Sequence, residues 1–251
     1  KERDEDVLVP ALFSEFRSLV MTLNYITIVK PSVKFHCIWL ATRQSRPTKS
    51  DWDKVLRLLK HVWDTRDEQM VIGAMDQDPD IYVFTDASFD TYKDSKSHGG
   101  VCVFITGSRC ALHSSSNKQH CLARSSCDSE IIECEKGTFI GNYFRDVLEE
   151  LKMVCNVIQF QDNQSCIALV DTGTSSYDRK ERHVVRRINY MYDYFADPSN
   201  RSKLLYCPTL CMIADILTKP LNTELYLALK QLLMGLSAYV FIEEDYGTVR
   251  S

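Results

Sequence analysis

The spacing of apolar residues predicts helices in the first third of the chain. The runs FRSLVMTLNYI (16–26) and VKFHCIWLA (33–41) indicate two helices separated near Pro31. A third helix is predicted to begin at a capping box formed by Ser50 and Asp53. Its apolar residues at helical spacing are Trp52, Val55, Leu56, Leu59, Val62 and Trp63. We therefore expect a small helical subdomain with the three tryptophans of the chain in its core.

After residue 80 the pattern becomes strand-like. The run IYVFTDAS (81–88) predicts a strand that ends on Asp86. GGVCVFI (99–105) and SRCALHSS (108–115) predict two more strands, joined by a tight turn at residues 107 and 108. A long helix should then run from about Asp128 to Lys152. Its expected buried side carries Ile132, Phe139, Ile140, Tyr143, Val147 and Leu151.

The last third predicts two further strands and several helices. A strand begins at Val157 and ends on Asp162, and a helix starts around Ile167. A basic helix follows, and KLLYC (203–207) forms the fifth strand. Short helices are expected in MIADILTKPL (212–221) and from Leu225 to Met234. The fold class is therefore α/β, with a mixed five-stranded sheet flanked by helices and preceded by the helical subdomain.

We place the domain boundary in MDQDPD (75–80), which gives a helical segment at 1–76 and a sheet domain at 77–251. The first strand should be central, with the fourth strand parallel to it through the crossover helix. Asp86 and Asp162 would then lie side by side at the carboxyl edge of the sheet, where open sheets place ligands.

Four carboxylates lie at the ends of predicted elements. They are Asp86, Glu130, Asp162 and Asp215. Gathered at one edge they would raise one another's pKa, and a divalent cation with hard oxygen ligands compensates such charge. These acids thus predict a site for Mg²⁺ or Mn²⁺. Two such ions ~4 Å apart would suit phosphodiester hydrolysis.

Charge and cysteine content narrow the class of protein. The net charge of −4 argues against a general nucleic-acid binder, but residues 30–66 and 179–187 are locally basic and could contact phosphates. The ten cysteines include no C-x-x-C pair, which favours a reduced, intracellular chain with buried thiols. The first residues, KERDEDVLVP, have no signal-peptide pattern, and no apolar run is long enough to cross a membrane.

The motifs resemble a known family. They are FRSLVMTLNYI, RPTKSDWDKVLRLLKHV, FTDAS, SSSNKQ, SSCDSEIIE, QDNQSCIAL and ADILTKPL. In this order they resemble the ribonuclease H domain and the preceding reverse-transcriptase tail of copia-type LTR retrotransposon polyproteins, over roughly residues 12 to 236. Any one motif is weak, but DNQSCIAL followed by ADILTKPL is a specific pairing.

The resemblance implies a ribonuclease H-like fold and a metal-dependent endonuclease that cuts the RNA strand of RNA/DNA hybrids. It implies that Asp86, Glu130, Asp162 and Asp215 are the catalytic acids and metal ligands. In CDSE either Asp128 or Glu130 could be the second of the four catalytic acids. We choose Glu130 because the apolar helix pattern begins just after it.

The resemblance also implies a partner, the polymerase part of the reverse transcriptase. It implies a cytoplasmic location in a virus-like particle, with the nucleus as an alternative. The sequence departs from the family at RHVV (182–185), where the family has KHID. The paired aspartates of a polymerase are not found in this sequence, so we expect no DNA synthesis by this chain alone.

Five further residues are candidates for substrate binding. Ser88, Asn163 and Gln164 lie beside the acids, and Arg186 and Arg187 lie in the basic helix. Hydroxyl and amide groups can read 2′-hydroxyls of RNA, whereas arginines bind phosphate. Ser129 is also near an acid, but a backbone cap is an equally simple role for it.

Two alternatives remain at this stage. The first is a catalytically silent module with the same fold, acting as a structural or nucleic-acid-binding subunit. The second is an integrase or transposase of the nuclease fold. Those enzymes usually order their acids as Asp, Asp, Glu, whereas Glu is second here.

Overall fold

The computed structural model of the chain describes residues 7–173 and 182–237. The chain divides into two compact units, Lys1–Met70 and Val71–Ser251. Val71 belongs to the second unit because its amide donates to the Met234 carbonyl at 2.9 Å, and the Gly73 amide donates to the Ser108 carbonyl at 2.8 Å. The division thus falls a few residues before the boundary expected from the sequence.

Within residues 7–70, the first unit contains three α-helices and two short 3₁₀-helices. Its α-helices are α1 Phe13–Ile26, α2 Lys34–Ala41 and α3 Lys49–Asp64. The 3₁₀-helices are Pro10–Leu12 and Pro31–Val33, so the predicted break near Pro31 is present. Its core residues include Phe16, Val20, Leu23, Cys37, Leu40, Val55, Leu58 and Val62.

The capping box of α3 is not the predicted Ser50–Asp53 pair. Thr48 is the N-cap, and its hydroxyl accepts a hydrogen bond from the Asp51 amide at 3.2 Å. The Asp51 carboxylate accepts from the Thr48 amide at 3.0 Å. Both pairs have the correct spacing, but α3 begins two residues earlier than expected and places Ser50 and Asp53 inside the helix.

One tryptophan is wrongly placed by the sequence analysis. Trp63 is 67% exposed, and the Arg66 guanidinium lies 5.0 Å from its ring centre. The buried stripe of α3 includes Val55, Leu58 and Val62, so the next residue after Val62 turns away from the core. Trp39 and Trp52 are partly buried against the core.

The second unit contains a mixed five-stranded sheet, as predicted. Its strands are β1 Ile81–Ser88, β2 His98–Ile105, β3 His113–Lys118, β4 Val157–Gln161 and β5 Ser202–Tyr206. Their order is β3-β2-β1-β4-β5. The pairs β1–β2 and β2–β3 are antiparallel, whereas β1–β4 and β4–β5 are parallel. The first strand is therefore central and pairs with the fourth through a helical crossover.

Helices cover both faces of this sheet. They are α4 Ser126–Glu150, α5 Gln164–Thr172, α6 Arg182–Ala196 and α7 Thr223–Leu233. Alternate residues of β1 point to opposite faces. Tyr82 and Phe84 pack with α7 and with the 3₁₀-helix Ile213–Leu217, whereas Ile81 and Val83 pack with Leu148 of α4. The predicted α/β class with a preceding helical part is confirmed.

β1 and β3 differ most from their expected bounds. β1 continues beyond Asp86, because Ala87 and Ser88 still pair with β2. β3 begins at His113 and not at Ser108. Between β2 and β3 the chain turns at Gly107 and Arg109, which both have positive φ, at 82° and 63°. Residues 110–112, which the sequence analysis had placed in a strand, lie in this connection.

The predicted buried side of α4 is wrong. Phe139, Tyr143, Val147 and Leu151 are all exposed, and Ile132 and Ile140 are only half-buried. The buried side includes the small residues Gly137, Thr138 and Gly141 beside Ile131 and Leu148, because α4 lies very close to the sheet. A Cβ at Gly137 would overlap the Thr85 side chain, and one at Gly141 would lie 2.9 Å from Val157 Cγ1. Close packing thus overrides the larger apolar stripe.

All ten cysteines are free thiols, and six of them are buried in the second unit. These are Cys102, Cys110, Cys134, Cys155, Cys166 and Cys207. Within residues 7–173 and 182–237, none of the helices has the length and apolar character needed to cross a membrane.

Candidate active site

Three of the predicted acids meet at the carboxyl edge of β1 and β4. Asp86 lies on β1 opposite Gly100, Asp162 follows β4 directly, and Glu130 lies near the start of α4. Each offers one carboxylate oxygen, and these oxygens all lie within 4.8 Å of one another. We call Asp86, Glu130 and Asp162 the three-acid group.

The helix start explains why Glu130 and not Asp128 joins this group. Ser125 is the N-cap of α4, and its hydroxyl accepts from the Asp128 amide at 3.1 Å. The Asp128 carboxylate in turn accepts from the Arg124 amide at 3.1 Å. Asp128 therefore caps the helix, whereas Glu130 turns toward Asp86 and Asp162.

Asp215 lies beside the three-acid group but outside it. It belongs to the 3₁₀-helix Ile213–Leu217 and is 1% exposed. Lys219 Nζ lies 2.8 Å from Asp215 Oδ1 and 3.7 Å from Asp86 Oδ2. Thr218 Oγ1 hydrogen-bonds to the Asp86 carboxylate and lies 3.2 Å from the Asp215 carbonyl oxygen. Asp86 is thus shared between the three-acid group and the Asp215–Lys219 pair.

The 3₁₀-helix that carries Asp215 is fixed against β2 and β3. A Cβ at Gly100 would lie 2.7 Å from Thr218 Cγ2, so only glycine allows this approach. The Ser116 hydroxyl donates to the Leu217 carbonyl at 2.7 Å. His98 Nε2 lies 2.7 Å from Ser116 Oγ. Burial lowers the pKa of His98 to about 4, so the imidazole is neutral at pH 7 and serves as a hydrogen-bonding support.

Burial and mutual repulsion dominate the electrostatics of the acids. Burial, followed by the charges of Asp86 and Asp162, raises the pKa of Glu130 well above its usual value. Burial and the Asp86 charge also raise the pKa of Asp162. The same two causes raise the pKa of Asp215 to about 8, although Lys219 acts in the opposite direction. The acids are therefore under-compensated.

This environment fits a divalent cation. The three-acid group presents only hard oxygen ligands, which Mg²⁺ and Mn²⁺ prefer. Asp215 Oδ1 is buried and already lies 2.8 Å from a cation, the Lys219 ammonium group.

Two polar residues that the sequence analysis missed orient the three-acid group. Gln161 Nε2 lies 3.4 Å from Glu130 Oε2, and Gln161 Oε1 accepts from the Asp162 amide at 2.8 Å. The Thr209 hydroxyl donates to Asp162 Oδ2 at 3.0 Å. The sequence signal for Gln161 was its place directly before the aspartate at the strand end. In the structure this glutamine is wholly buried. Nothing in the sequence pattern pointed to Thr209.

A further buried acid, Glu133, lies one helical turn after Glu130. Its carboxylate accepts from Lys136 Nζ at 2.6 Å and from Gln119 Nε2 at 3.5 Å. A Cβ at Gly99 would overlap this carboxylate, so the glycine provides its space. Burial raises the pKa of Glu133, with Lys136 acting in the opposite direction. Unlike Glu130, Glu133 therefore has a cation in direct contact.

The predicted substrate-binding residues near the acids differ in their surroundings. Gln164 is exposed at the first position of α5, next to the acid edge. Asn163 is the N-cap of α5, and its side-chain oxygen accepts from the Cys166 amide at 3.1 Å. Ser88 is half-buried at the end of β1. Ser129 is buried and donates to the Ser126 carbonyl at 2.7 Å, as a backbone-bonding serine would.

The two arginines of the basic helix also differ. Arg187 forms an ion pair with Glu135 of α4, and the two side chains are 24% and 14% exposed. Arg186 is exposed on α6. Residues 179–181 of the predicted basic cluster lie outside the described residues. Of the two predicted phosphate ligands, Arg186 is thus the one that forms no ion pair with a carboxylate of the described residues.

The sheet order, with two antiparallel and two parallel pairs, and the covering helices define a ribonuclease H-like fold. Neither models of known protein families nor curated proteins match this sequence. The similar solved structures include ribonuclease H1 from the archaeon Halobacterium salinarum NRC-1, at 10% identity and a TM-score of 0.41, covering 55% of this chain and 93% of that one.

Two further similar solved structures contain a bound nucleic acid. LC11-RNase H1 in complex with an RNA/DNA hybrid is 16% identical with a TM-score of 0.41, over 55% of this chain and 93% of that one. The foamy viral protease-reverse transcriptase in complex with double-stranded DNA is 13% identical with a TM-score of 0.46, over 83% of this chain and 40% of that one. All these likenesses are distant, and the fold assignment rests on the sheet itself.

Proposed function

We propose that the chain is a metal-dependent endonuclease that hydrolyses the RNA strand of RNA/DNA hybrids. The observation that carries the proposal is the three-acid group. Three carboxylates, two of them less than 10% exposed, converge within 4.8 Å at one sheet edge with no cation in direct contact with Glu130 or Asp162 among the ion pairs of the described residues. Such a costly arrangement is typical of a functional site and not of a structural one.

The roles of the chain's own residues follow from their contacts. Asp86, Glu130 and Asp162 would hold the cation, and Asp215 would complete the ligand set beside Asp86. Gln161 fixes Glu130 and the turn at Asp162, while Thr209 and Thr218 orient Asp162 and Asp86. Two Mg²⁺ or Mn²⁺ ions held by these residues would supply an activated water and stabilise the leaving oxygen.

The motif order supports a retroelement origin. FTDAS, SSCDSEIIE, QDNQSCIAL and ADILTKPL each contribute one of the four acids and occur in the order of copia-type LTR elements. On this proposal the sheet domain, 77–251, is the ribonuclease H part. The helical segment, 1–76, corresponds to the end of a reverse transcriptase, whose polymerase part is the natural partner.

Selectivity for RNA must come from residues beside the acids, because carboxylates that bind metal do not distinguish ribose from deoxyribose. A hybrid presents 2′-hydroxyls in a wide, shallow minor groove. Gln164 is the best-placed reader, since its amide both donates and accepts and is exposed next to Asp162. Ser88 and the Asn163 amide nitrogen are further candidates, and Arg186 would contact phosphate.

The test is cleavage of three end-labelled substrates of one sequence: an RNA/DNA hybrid, duplex RNA and duplex DNA. With Mg²⁺ the protein should cut only the RNA strand of the hybrid, and EDTA should stop the reaction. Gln164→Ala should cut the hybrid more slowly while binding Mg²⁺ like the parent. Failure to cut the hybrid with either Mg²⁺ or Mn²⁺, or equal cutting of duplex DNA, would contradict the proposal.

A further inference from the structure

Lys219 is a cation that the acid site already contains. Its ammonium group lies 2.8 Å from Asp215 Oδ1 and 3.7 Å from Asp86 Oδ2. Both carboxylates are nearly fully buried, with relative exposures of 1% for Asp215 and 2% for Asp86. Lys219 therefore neutralises part of the charge on the Asp86–Asp215 side, where a buried carboxylate pair would otherwise be strongly repulsive.

Among the described residues, Glu130 and Asp162 have no partner equivalent to Lys219. In the described part of the chain, no Lys or Arg forms an ion pair with Glu130 or Asp162, and their side-chain hydrogen bonds come from the neutral residues Gln161 and Thr209. The site is consequently asymmetric. Lys219 lies beside Asp86 and Asp215, whereas no cation of the described residues lies beside Glu130 and Asp162. A divalent ion is therefore bound most strongly beside Glu130 and Asp162, whose charge is not compensated.

The ammonium group of Lys219 can leave. The side chain is 35% exposed, so a path to solvent is open. A lysine is a point charge on a flexible stem, and it makes no bidentate contact that would fix its position. Thr218, which also contacts Asp86, caps the 3₁₀-helix Ile213–Leu217 and would keep its contact when the ammonium group moves.

We propose that Lys219 is a resident counter-cation that controls the order of metal binding. The first divalent ion binds at the three-acid group while Lys219 stays between Asp86 and Asp215. A second ion binds beside Asp215 only by displacing the ammonium group, so its affinity is weaker than that of the first. This inference rests on the metal site of the proposed function and adds a role for Lys219 that the acids alone do not imply.

The experiment is a calorimetric titration of the full chain with Mg²⁺ and, separately, Mn²⁺. The parent should show a tighter and a weaker binding event. Lys219→Met, which keeps the side-chain length but removes the charge, should tighten the second event by at least about tenfold and change the first much less. Lys219→Arg keeps the charge and should leave the second event weak. Asp215→Asn should remove it.

Circular dichroism would show whether Lys219→Met is folded, and Lys219→Gln serves as a second neutral variant if it is not. Identical titration curves for the parent and a folded neutral variant would overturn the inference. Loss of both events in that variant would also overturn it. Hybrid cleavage is scored separately: a protein that shows the predicted titrations but cuts no hybrid refutes the proposed function and leaves the role of Lys219 intact.

Discussion

The two sides of the acid site differ in how their charge is compensated. Glu130 and Asp162 have neutral hydrogen-bonding partners, whereas Asp215 has Lys219 at 2.8 Å. Glu130 and Asp215 are both buried, at 6% and 1% exposed, whereas Asp162 is half-buried. Between Glu130 and Asp215 the difference therefore lies in the partners. It indicates that the three-acid group depends on an external cation more than the Asp215 side does.

The supports of the two sides differ as well. Glu130 depends on the close approach of α4 to β1, which the glycines of α4 allow. Asp215 depends on a 3₁₀-helix that Gly100 admits and that the Ser116–His98 hydrogen bonds hold. Each side can thus be altered by substitutions that leave the other largely unchanged.

The largest effect is expected for Glu130→Gln. It removes a ligand of the three-acid group, so cleavage should fall by more than the roughly 10–100-fold typical of losing an outer-shell partner. The tighter metal-binding event should disappear. Without metal, thermal melting should occur at a higher temperature than in the parent, because repulsion with Asp86 and Asp162 is relieved.

Glu133→Gln is the matched control for that change. Glu133 is equally buried on the same helix, but it is paired with Lys136 and lies outside the three-acid group. Its variant should keep the tighter metal-binding event and cut the hybrid at close to the parent rate. If the two glutamine variants behaved alike, position within the acid group would not matter and the comparison would fail.

Asp215→Asn should have a smaller effect on the reaction. We expect cleavage to fall less than in Glu130→Gln, because only the weaker metal-binding event is lost. The affinity of the tighter event should stay close to the parent value, as the three-acid group is intact. Single-turnover cleavage and calorimetry measure the two quantities, and a loss of the tighter event would show that both sides form one binding unit.

Two glycine-to-alanine substitutions should distinguish the support of Glu130 by α4 from the support of Asp215 by the 3₁₀-helix. Gly137→Ala forces α4 away from Thr85, and overpacking of this kind costs about 1–3 kcal/mol, partly offset by the better helix propensity of alanine. Gly100→Ala forces the 3₁₀-helix away from β2. Chemical denaturation should show a loss of stability in both.

The metal titrations should then differ between these two variants. Gly137→Ala should weaken the tighter event, because Glu130 moves with α4. Gly100→Ala should weaken the second event, because Asp215 moves with the 3₁₀-helix. Gly141→Ala, where the nearest contact is 2.9 Å, is a milder control on α4. The same titration result for Gly137→Ala and Gly100→Ala would contradict the separation of the two sides.

Stability of the metal-free protein should fall as the pH rises. The pKa of Asp215 is about 8 in the folded chain against 3.8 for an ordinary aspartate, so between these values the folded state binds more protons than the unfolded state. The raised pKa values of Glu130 and Asp162 act in the same direction. Asp215 alone accounts for up to about 1.4 kcal/mol per pH unit within this window.

Melting curves between pH 5 and about pH 8 test this dependence. Added Mg²⁺ should stabilise the protein more at the alkaline end, since bound metal requires ionised carboxylates. Glu133 also has a raised pKa, so Glu133→Gln provides a control for acids outside the site. Stability that is constant or rises with pH in the absence of metal would show that the acids are compensated after all.

The smallest effect concerns the basic helix. Arg186→Ala should reduce the slope of log K against log salt for hybrid binding by about 0.7–0.9, which corresponds to one phosphate contact. Arg187→Ala should leave the slope unchanged and instead lower the melting temperature, because Arg187 is paired with Glu135. A reduced slope for Arg187→Ala would mean that it leaves Glu135 to contact the hybrid.

The position of each acid at an element end made much of the site predictable from sequence. Asp86 and Asp162 follow from the parallel pairing of β1 and β4, a pairing that strand order and the crossover helix require. Glu130 and Asp215 were grouped with them because they also lie at the ends of predicted elements, and the resemblance gave all four a catalytic role. The preference for Glu130 over Asp128 agrees with the structure, in which Asp128 caps α4.

What the sequence could not predict depends on contacts between distant segments. The buried side of α4 is set by how closely it approaches β1, and Gly137 carries no hydrophobic signal of that contact. The sequence does not distinguish Arg187 from the other basic residues of its helix, because its partner Glu135 lies on a different helix. Lys219 lies within a motif, but its position between Asp86 and Asp215 requires the 3₁₀-helix to fold onto β2.

The most direct measurement is single-turnover cleavage of an RNA/DNA hybrid by the parent and by Asp86→Asn, because Asp86 contacts both sides of the site. With Mg²⁺ the parent should cut the RNA strand and Asp86→Asn should not, while circular dichroism shows both to be folded. Cutting by Asp86→Asn at the parent rate, or cutting by the parent in EDTA, would contradict the central claim that these carboxylates act through a bound metal.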